Sequence, residues 1–229
     1  MKISYLVTFS SETDTLKNLL ERLAQHQQDD EIVLLADSGN LDEISQEILM
    51  TCFRHAKNPE NRFYYEHNLN NNYSEHKNWG MKQCSGDFIF QIDGDECPTE
   101  ILLENIKDIL KSNPEIEAFW IPRINDFIGI TEKHAKQWGW RLTMSPTYKR
   151  FLVNWPDPQC RLFLNKPEIK WVGRLHERIE GNKNFVYLPF DEELALYHDK
   201  TIEKQIETNL KYNKLFTEKE NQGFVLPTK

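Results

Sequence analysis

No stretch of this sequence approaches the roughly 18 consecutive apolar residues of a membrane span. Its first residues, Met1-Lys2-Ile3-Ser4-Tyr5-Leu6-Val7-Thr8, are too short and too polar for a secretion signal and read as a strand that starts almost at once. The four cysteines, Cys52, Cys84, Cys97 and Cys160, lie far apart and form no C-x-x-C pair. That spacing argues against a disulfide framework or a thiolate metal centre and for reduced thiols. Excess positive charge is missing as well: 28 Lys+Arg stand against 36 Asp+Glu, a formal net charge of −8. A simple nucleic-acid binder is therefore disfavoured. Internal repeats and linker-like segments are also absent. Together these absences lead to the expectation of a soluble, acidic, cytoplasmic protein.

What the chain does have is bulk. Apolar residues make up 39%, with 13 Phe, 8 Tyr and 6 Trp among 229 residues, which fills a core and excludes a disordered class. One domain, 1–229, is expected. Its 1–121 part alternates strand and helix patterns, 122–217 forms a second lobe ending in a helix, and 218–229 is a polar tail. Charge is uneven along the chain. Between Lys133 and Arg174 nine basic residues face only Asp157 and Glu168, and Trp138, Trp140, Trp155 and Trp171 lie in the same stretch. That asymmetry points to an anionic partner on one face, unless the charges pair with the acidic remainder and the tryptophans are core.

Strand patterns at Ile3–Thr8, Glu31–Ala36, Phe63–Tyr65, Asp87–Ile92 and Ala118–Ile121 alternate with helical ones. The helices show apolar faces: Leu16, Leu19, Leu20 and Leu23 in the first, Ile44, Ile48 and Cys52 in the second, then Tyr73–Cys84 and Ile101–Leu110. A last helix from Thr201 to about Phe216 is expected to bury Ile202, Ile206, Leu210 and Leu215. Strands alternating with helices of this length predict an α/β fold with a largely parallel sheet. Ligands of such sheets bind beyond the carboxyl ends of the strands. The polar clusters Thr8-Phe9-Ser10, Asp37-Ser38 and Asp93-Gly94-Asp95 sit at those ends.

Asp93-Gly94-Asp95 is the strongest chemical signal. Two carboxylates one residue apart after a buried strand repel each other, and a divalent cation relieves that repulsion. A solvated acidic turn capping the helix near Thr99 is the competing account. A calcium loop starting at Asp93 would place Glu104 twelfth, but Pro98 stands at the sixth position, where such a loop needs glycine. Asp37 in Asp37-Ser38-Gly39-x-x-Asp42 either accepts from a nucleobase N–H or bonds its own turn. Glu177, beside His176, reads as a general base or half of a surface pair. His198-Asp199 supplies a ligand or a helix cap.

Thr8-x-Ser10, Asp37-Ser38-Gly39-x-x-Asp42, Lys77-Asn78 and Ser85-Gly86-Asp87-Phe88-Ile89-Phe90-Gln91-Ile92-Asp93-Gly94-Asp95-Glu96, in that order, resemble family-two glycosyltransferases with the GT-A fold. Pro156-Asp157-x-Gln159-x-Arg161-Leu162-Phe163, Gly173-x-x-His176-Glu177 and Tyr197-His198-Asp199-Lys200 are similar to one bacterial and phage branch of that family. The resemblance covers most of residues 2–215. It implies a GT-A fold with one mostly parallel sheet, a small irregular acceptor lobe and a C-terminal helix. It also implies an inverting, metal-dependent transfer from a nucleoside-diphosphate sugar, UDP-linked, with Mn²⁺ or Mg²⁺ as cofactor. The acceptor would be a hydroxyl of a glycan, a lipid-linked saccharide or a nucleic acid such as DNA.

The site residues implied by the resemblance follow one by one. Thr8, Asp37, Lys77, Asn78, Asp93 and Asp95 would bind the donor, with Asp37 facing the base and Asp93 the ribose. Asp95 and His198 would hold the metal. Glu177 would be the catalytic base, with Asp157 the competing acid, and Trp155, Arg161, Arg174 and His176 would meet the acceptor. Thr8-Phe9-Ser10-Ser11 departs from the Asn and basic residue common in relatives. A sugar nucleotidyltransferase is disfavoured because Ser10-Ser11-Glu12-Thr13-Asp14 has no glycine and two acids. A non-catalytic carbohydrate- or nucleic-acid-binding module would explain the tryptophans but not Asp93 and Asp95.

Overall fold

A computed structural model describes residues 1–11, 14–26, 29–41, 59–217 and 219–220. Asp42, the helix expected around Ile44, Ile48 and Cys52, and most of the 218–229 tail lie outside the described residues.

Two seven-residue strands, β1 (Ile3–Phe9) and β2 (Glu31–Asp37), are buried along their whole length. Near-continuous apolar runs of this kind belong to a sheet covered on both faces. β1 pairs in parallel with β2 and with β4 (Phe88–Asp93), and β2 pairs in parallel with β3 (Arg62–His67). Three later strands extend the sheet: β6 (Ala118–Ile121), β10 (Gln159–Leu164) and β13 (Phe185–Tyr187). The order is β13-β6-β10-β4-β1-β2-β3, with β10 antiparallel to both neighbours.

On one face α1 (Asp14–His26) buries Leu16, Leu19, Leu20 and Leu23, and α3 (Glu100–Ser112) buries Leu102, Leu103, Ile106 and Leu110. Thr99 caps α3, its hydroxyl accepting from the Leu102 amide. The other face packs against α2 (Tyr73–Met81). A Cβ on Gly80 would come within 2.8 Å of Leu35 and 2.9 Å of Leu6, so this helix sits as close as glycine allows.

A second sheet, in the order β5-β14-β7-β9-β8, joins β5 (Glu96–Pro98), β7 (Arg123–Ile128), β8 (Leu142–Met144), β9 (Phe151–Val153) and β14 (Leu196–Thr201). The short α4 (Glu132–Trp138) precedes β8, and α5 (Ile202–Leu215) follows β14. A two-stranded ribbon, β11 (Lys170–Val172) and β12 (Arg178–Glu180), lies over α2. The two sequence halves interleave: β10 and β13 complete the first sheet, while β5 crosses into the second. No helix among the described residues is long and apolar enough to cross a membrane.

Two expectations are corrected here. The third helix ends at Met81, three residues before Cys84. In α5, Leu210 and Leu215 are exposed, while Ile202, Asn209 and the following Phe216 are buried. Its inward face is chosen by the aromatic cluster of Tyr73, Tyr212 and Phe216 rather than by a leucine stripe.

Candidate active site

The parallel register sets Thr8 beside Asp93 at the carboxyl ends of β1 and β4. The turn that follows is pinned back, because the Gly94 amide donates to the Thr8 carbonyl at 2.8 Å. Asp93 is then surrounded by donors. Its Oδ1 accepts from Thr8 Oγ1 (2.9 Å) and Gln91 Nε2 (2.8 Å) and pairs with Lys77 Nζ at 2.9 Å, while Oδ2 accepts from Arg161 Nη2 at 2.6 Å. Burial works against ionisation, but Arg161 and Lys77 overcome it and hold the carboxyl well below the usual range. Beneath it, Glu96 Oε1 accepts from Arg161 Nη2 (2.7 Å) and Arg123 Nη1 (2.9 Å). The result is a buried network of alternating charge.

Asp95 is placed differently. Its Oδ2 lies 3.4 Å from His198 Nε2 and 3.9 Å from Lys200 Nζ, both looser than any contact around Asp93. β14 brings these groups in, with His198 paired to Glu96 of β5. Burial pushes the Asp95 carboxyl up, and the charges of His198, when its ring is protonated, and of Lys200 outweigh it and pull it down. A carboxylate facing an imidazole nitrogen across a gap too long for a good hydrogen bond is closed by a proton or by a cation. One oxygen and one nitrogen donor suit Mn²⁺ and related divalent ions, so these two residues fit the metal that the resemblance implies.

Glu177 reaches the same cleft from the loop between β11 and β12. Gly173 (φ +101°) and His176 (φ +51°) turn that loop, and the Tyr73 amide ties it down by donating to the Arg174 carbonyl at 3.0 Å. Glu177 Oε1 pairs with Lys77 Nζ at 2.7 Å, so one buried ammonium joins Glu177 to Asp93. The same Nζ sits 4.8 Å from the Trp171 ring centroid. Tyr73 and Tyr212 hydrogen-bond through their hydroxyls close to this group, and burial raises both phenols.

At the end of β2, Asp37 Oδ1 accepts from the Gly39 (3.1 Å) and Leu69 (2.9 Å) amides, and Oδ2 accepts from Asn40 Nδ2 (2.5 Å). These bonds outweigh burial and lower its pKa. These contacts show Asp37 building its own turn and tying it to the Leu69 amide. His67 and His76 stand next to it with their Nδ1 atoms 3.2 Å apart. Burial, reinforced by His67, pushes His76 down to about 4.

The structure thus brings Thr8, Asp37, Lys77, Asp93, Asp95, Glu177 and His198 to one end of the sheet. Several sequence-derived roles are corrected. Arg161 is buried under Asp93 and Glu96, so it anchors the site floor instead of meeting an acceptor. Asp157 is no competitor for Glu177: its Oδ2 accepts from Arg123 Nη2 (2.7 Å) and Asn125 Nδ2 (2.6 Å), and Gln159 holds Oδ1. Asn78 brackets the Trp171 backbone, donating to its carbonyl at 2.8 Å and accepting from its amide at 2.9 Å, which positions β11 rather than a donor.

The other expected acceptor residues divide. Trp155 packs partly buried against Ile124, Leu152 and Ala195. Arg174 and His176 are exposed on the Glu177 loop, with Arg174 paired to Glu220 at 2.7 Å. Part of the basic stretch is paired with carboxylates, Arg150 with Asp126 and Lys166 with Glu117, while Trp138 and Trp171 are core. The sequence reading gives no role to Glu96, Arg123, Asn125 or Tyr212, whose partners are distant in the chain and leave no local spacing signal.

The sequence model of glycosyl transferase family 2 matches residues 4–189. No curated protein matches the chain. Among solved structures, S. aureus TarS 1–349 superposes with a TM-score of 0.59 at 14% identity, covering 98% of this chain and 69% of that one. The same fragment in complex with UDP-GlcNAc gives 0.60 at 13% identity, covering 98% and 70%. A longer TarS structure gives 0.58 at 14%, and this chain spans 42% of it. At such identities the likeness establishes the fold, a GT-A arrangement of a mostly parallel sheet flanked by helices.

Proposed function

The chain belongs to glycosyl transferase family 2, and from that premise we propose that it is an inverting, divalent-metal-dependent enzyme that transfers a hexosyl or pentosyl group from a UDP-linked sugar to a hydroxyl of a glycan or lipid-linked saccharide. The observation that carries this reading is the apposition of Asp95 Oδ2 and His198 Nε2 at 3.4 Å, at the strand ends where a diphosphate would lie. Asp95 and His198 would hold Mn²⁺ or Mg²⁺, which when bound offsets the charge that develops on a departing diphosphate.

The remaining steps fall to the chain's own side chains. Glu177 takes the proton from the acceptor hydroxyl while that oxygen bonds to the anomeric carbon, from the face opposite the diphosphate, whose bond to the same carbon breaks. Lys77 grips Glu177 Oε1, which fixes the carboxylate and leaves Oε2 to take the proton. Thr8, Asp37 and Asp93 bound the donor pocket, with Asp93 towards the ribose. Arg174 and His176, exposed beside Glu177, supply the acceptor side. Pairing of Arg150, Arg161 and Lys166 with carboxylates takes three cations out of the basic stretch and favours a glycan over a nucleic acid as acceptor, since phosphate-backbone binding needs available cations.

UDP-GlcNAc, present in a TarS structure of the same fold, is the first donor to test. Thermal unfolding with UDP-GlcNAc and Mn²⁺ should give a higher midpoint than with either alone, because a ligand that binds only the folded state stabilises it. EDTA and Asp95→Asn should each abolish the increment. A donor-induced shift indifferent to both would overturn the metal site.

A further inference from the structure

We propose that Asn125, held in place by Asp157, is a positioning residue that fixes His198 in the tautomer whose Nε2 lone pair faces Asp95. The inference rests on the reading of Asp95 and His198 as the metal pair and names what prepares that pair.

The second sheet builds the arrangement from its register. Asn125 of β7 lies opposite His198 of β14 on one side and opposite Val153 of β9 on the other. Asn125 and His198 are both buried, at 4% and 8% exposure, so their polar atoms must find partners within the protein. An asparagine amide can be placed either way round, and here its neighbours decide. Its Nδ2 lies 3.2 Å from the Val153 carbonyl oxygen and 2.6 Å from Asp157 Oδ2. A carbonyl and an ionised carboxylate only accept, so the NH₂ group has to face them. The amide oxygen is then the atom that lies 2.7 Å from His198 Nδ1.

An amide oxygen has no proton to give, so Nδ1 must be the donor. A neutral imidazole carries one N–H, and with it on Nδ1 the Nε2 lone pair is left to face Asp95 Oδ2. The unconstrained choice would be open between the two nitrogens, and an Nε2–H would turn a proton where a ligand lone pair is needed. Phe127 packs edge-on to the imidazole, ring centroids 5.8 Å apart, restricting its rotation.

Asp157 is itself fixed. Arg123 donates to its Oδ2 through Nε (3.0 Å) and Nη2 (2.7 Å), while Nη1 of the same guanidinium donates to Glu96 at 2.9 Å. Glu96 also accepts from Arg161, which holds Asp93. One connected network therefore orients the imidazole and anchors the floor of the donor site. Groups hydrogen-bonded to the outer nitrogen of a ligand histidine typically influence metal affinity about 10–100-fold.

The test begins on the metal-free wild-type protein labelled with ¹⁵N-histidine. Long-range ¹H–¹⁵N correlation, at a pH where the ring is neutral, should find the His198 proton on Nδ1. Asn125→Leu should lose that preference. Asp157→Asn, which lets the Asn125 amide turn over, should lose it with the Asn125 side chain still present. Manganese EPR with UDP should then show Mn²⁺ affinity about 10–100-fold weaker in both variants. An Nε2–H tautomer in the wild type, or an unchanged Nδ1–H tautomer in both variants, overturns the proposal. Wild-type protein with the expected tautomer that binds no Mn²⁺ would instead remove the metal reading and leave the positioning role standing.

Discussion

Asp93 and Asp95 are two residues apart, yet the two sheets that meet at their turn treat them oppositely. Asp93 has four side-chain donors at 2.6–2.9 Å, Thr8, Gln91 and Arg161 from the seven-stranded sheet and Lys77 from α2 packed on it. The five-stranded sheet gives Asp95 only His198 and Lys200, at 3.4 and 3.9 Å. A carboxylate whose lone pairs are filled by fixed donors belongs to the architecture. One that faces an imidazole across a gap is still able to take a ligand. The motif therefore divides its labour: Asp93 sets the geometry, and Asp95 is available for chemistry. Lys77 links the two regimes, because it holds Asp93 and Glu177 with one ammonium.

The largest expected effect falls on the chemical side. Glu177→Gln keeps the shape of the side chain and removes its basicity, so turnover should fall about 10²–10⁴-fold. Donor binding, followed by thermal shift or calorimetry, should persist. Retention of full activity would transfer the base role elsewhere and leave Glu177 as a partner of Lys77 alone.

Arg161→Met probes the architectural side. It removes the guanidinium that joins Asp93, Glu96 and Gln91, leaving buried carboxylates without their main counter-charge. Breaking a buried pair in this way typically costs about 3–5 kcal/mol. Urea unfolding should register a loss of that size. A loss below about 1 kcal/mol, within reach of an ordinary surface pair, would mean that Asp93 is held no more firmly than Asp95.

These two residues also mark the boundary of what was legible in the sequence. Strands with continuous apolar runs, and polar turns at their carboxyl ends, are local features, and β1, β2 and β4 follow from them. Asp95 and His198 were legible through the order of their motifs. The Arg161 role is not, because its partners lie up to 70 residues away in the chain. The same holds for Asp157, named as the acid competing with Glu177, because Arg123 and Asn125, which hold it, lie more than 30 residues away in the chain. Leu210 and Leu215 show the converse. Helical spacing alone placed them inside, whereas the aromatic packing of Tyr212 and Phe216 turned that face outward.

A third carboxylate, at the amino ends of the same strands, provides a control without chemistry. Glu31 accepts from Lys2 Nζ, Ser4 Oγ, and the amide and hydroxyl of Ser85, all at 2.6 Å. Burial pushes its pKa up, but these bonds outweigh it and bring it down from 4.5 to about 2. A depressed folded-state pKa stabilises above the unfolded value and loses its contribution as pH falls through the folded one. Glu31→Gln should therefore cost about 1.5–3 kcal/mol near pH 6. The difference from wild type should narrow as pH drops from about 4.5 towards about 2. A gap independent of pH would show that the serine contacts act through shape rather than through the carboxylate charge.

The smallest expected effect is the most discriminating. Asp95→Asn removes a charge whose contacts are both long, and it leaves the hydrogen bond between His198 Nδ1 and Asn125 Oδ1 untouched. Its effect on urea unfolding without ligand should therefore stay well below the loss of about 3–5 kcal/mol expected for Arg161→Met. The same substitution should abolish the Mn²⁺-dependent part of donor stabilisation. Little loss of fold together with complete loss of metal response is the signature of a residue held ready for a ligand. If Asp95→Asn instead destabilised the protein as much as Arg161→Met, Asp95 would belong to the same structural network as Asp93. The gap to His198 would then be a loosely drawn ion pair, and the division of labour across the turn would fail.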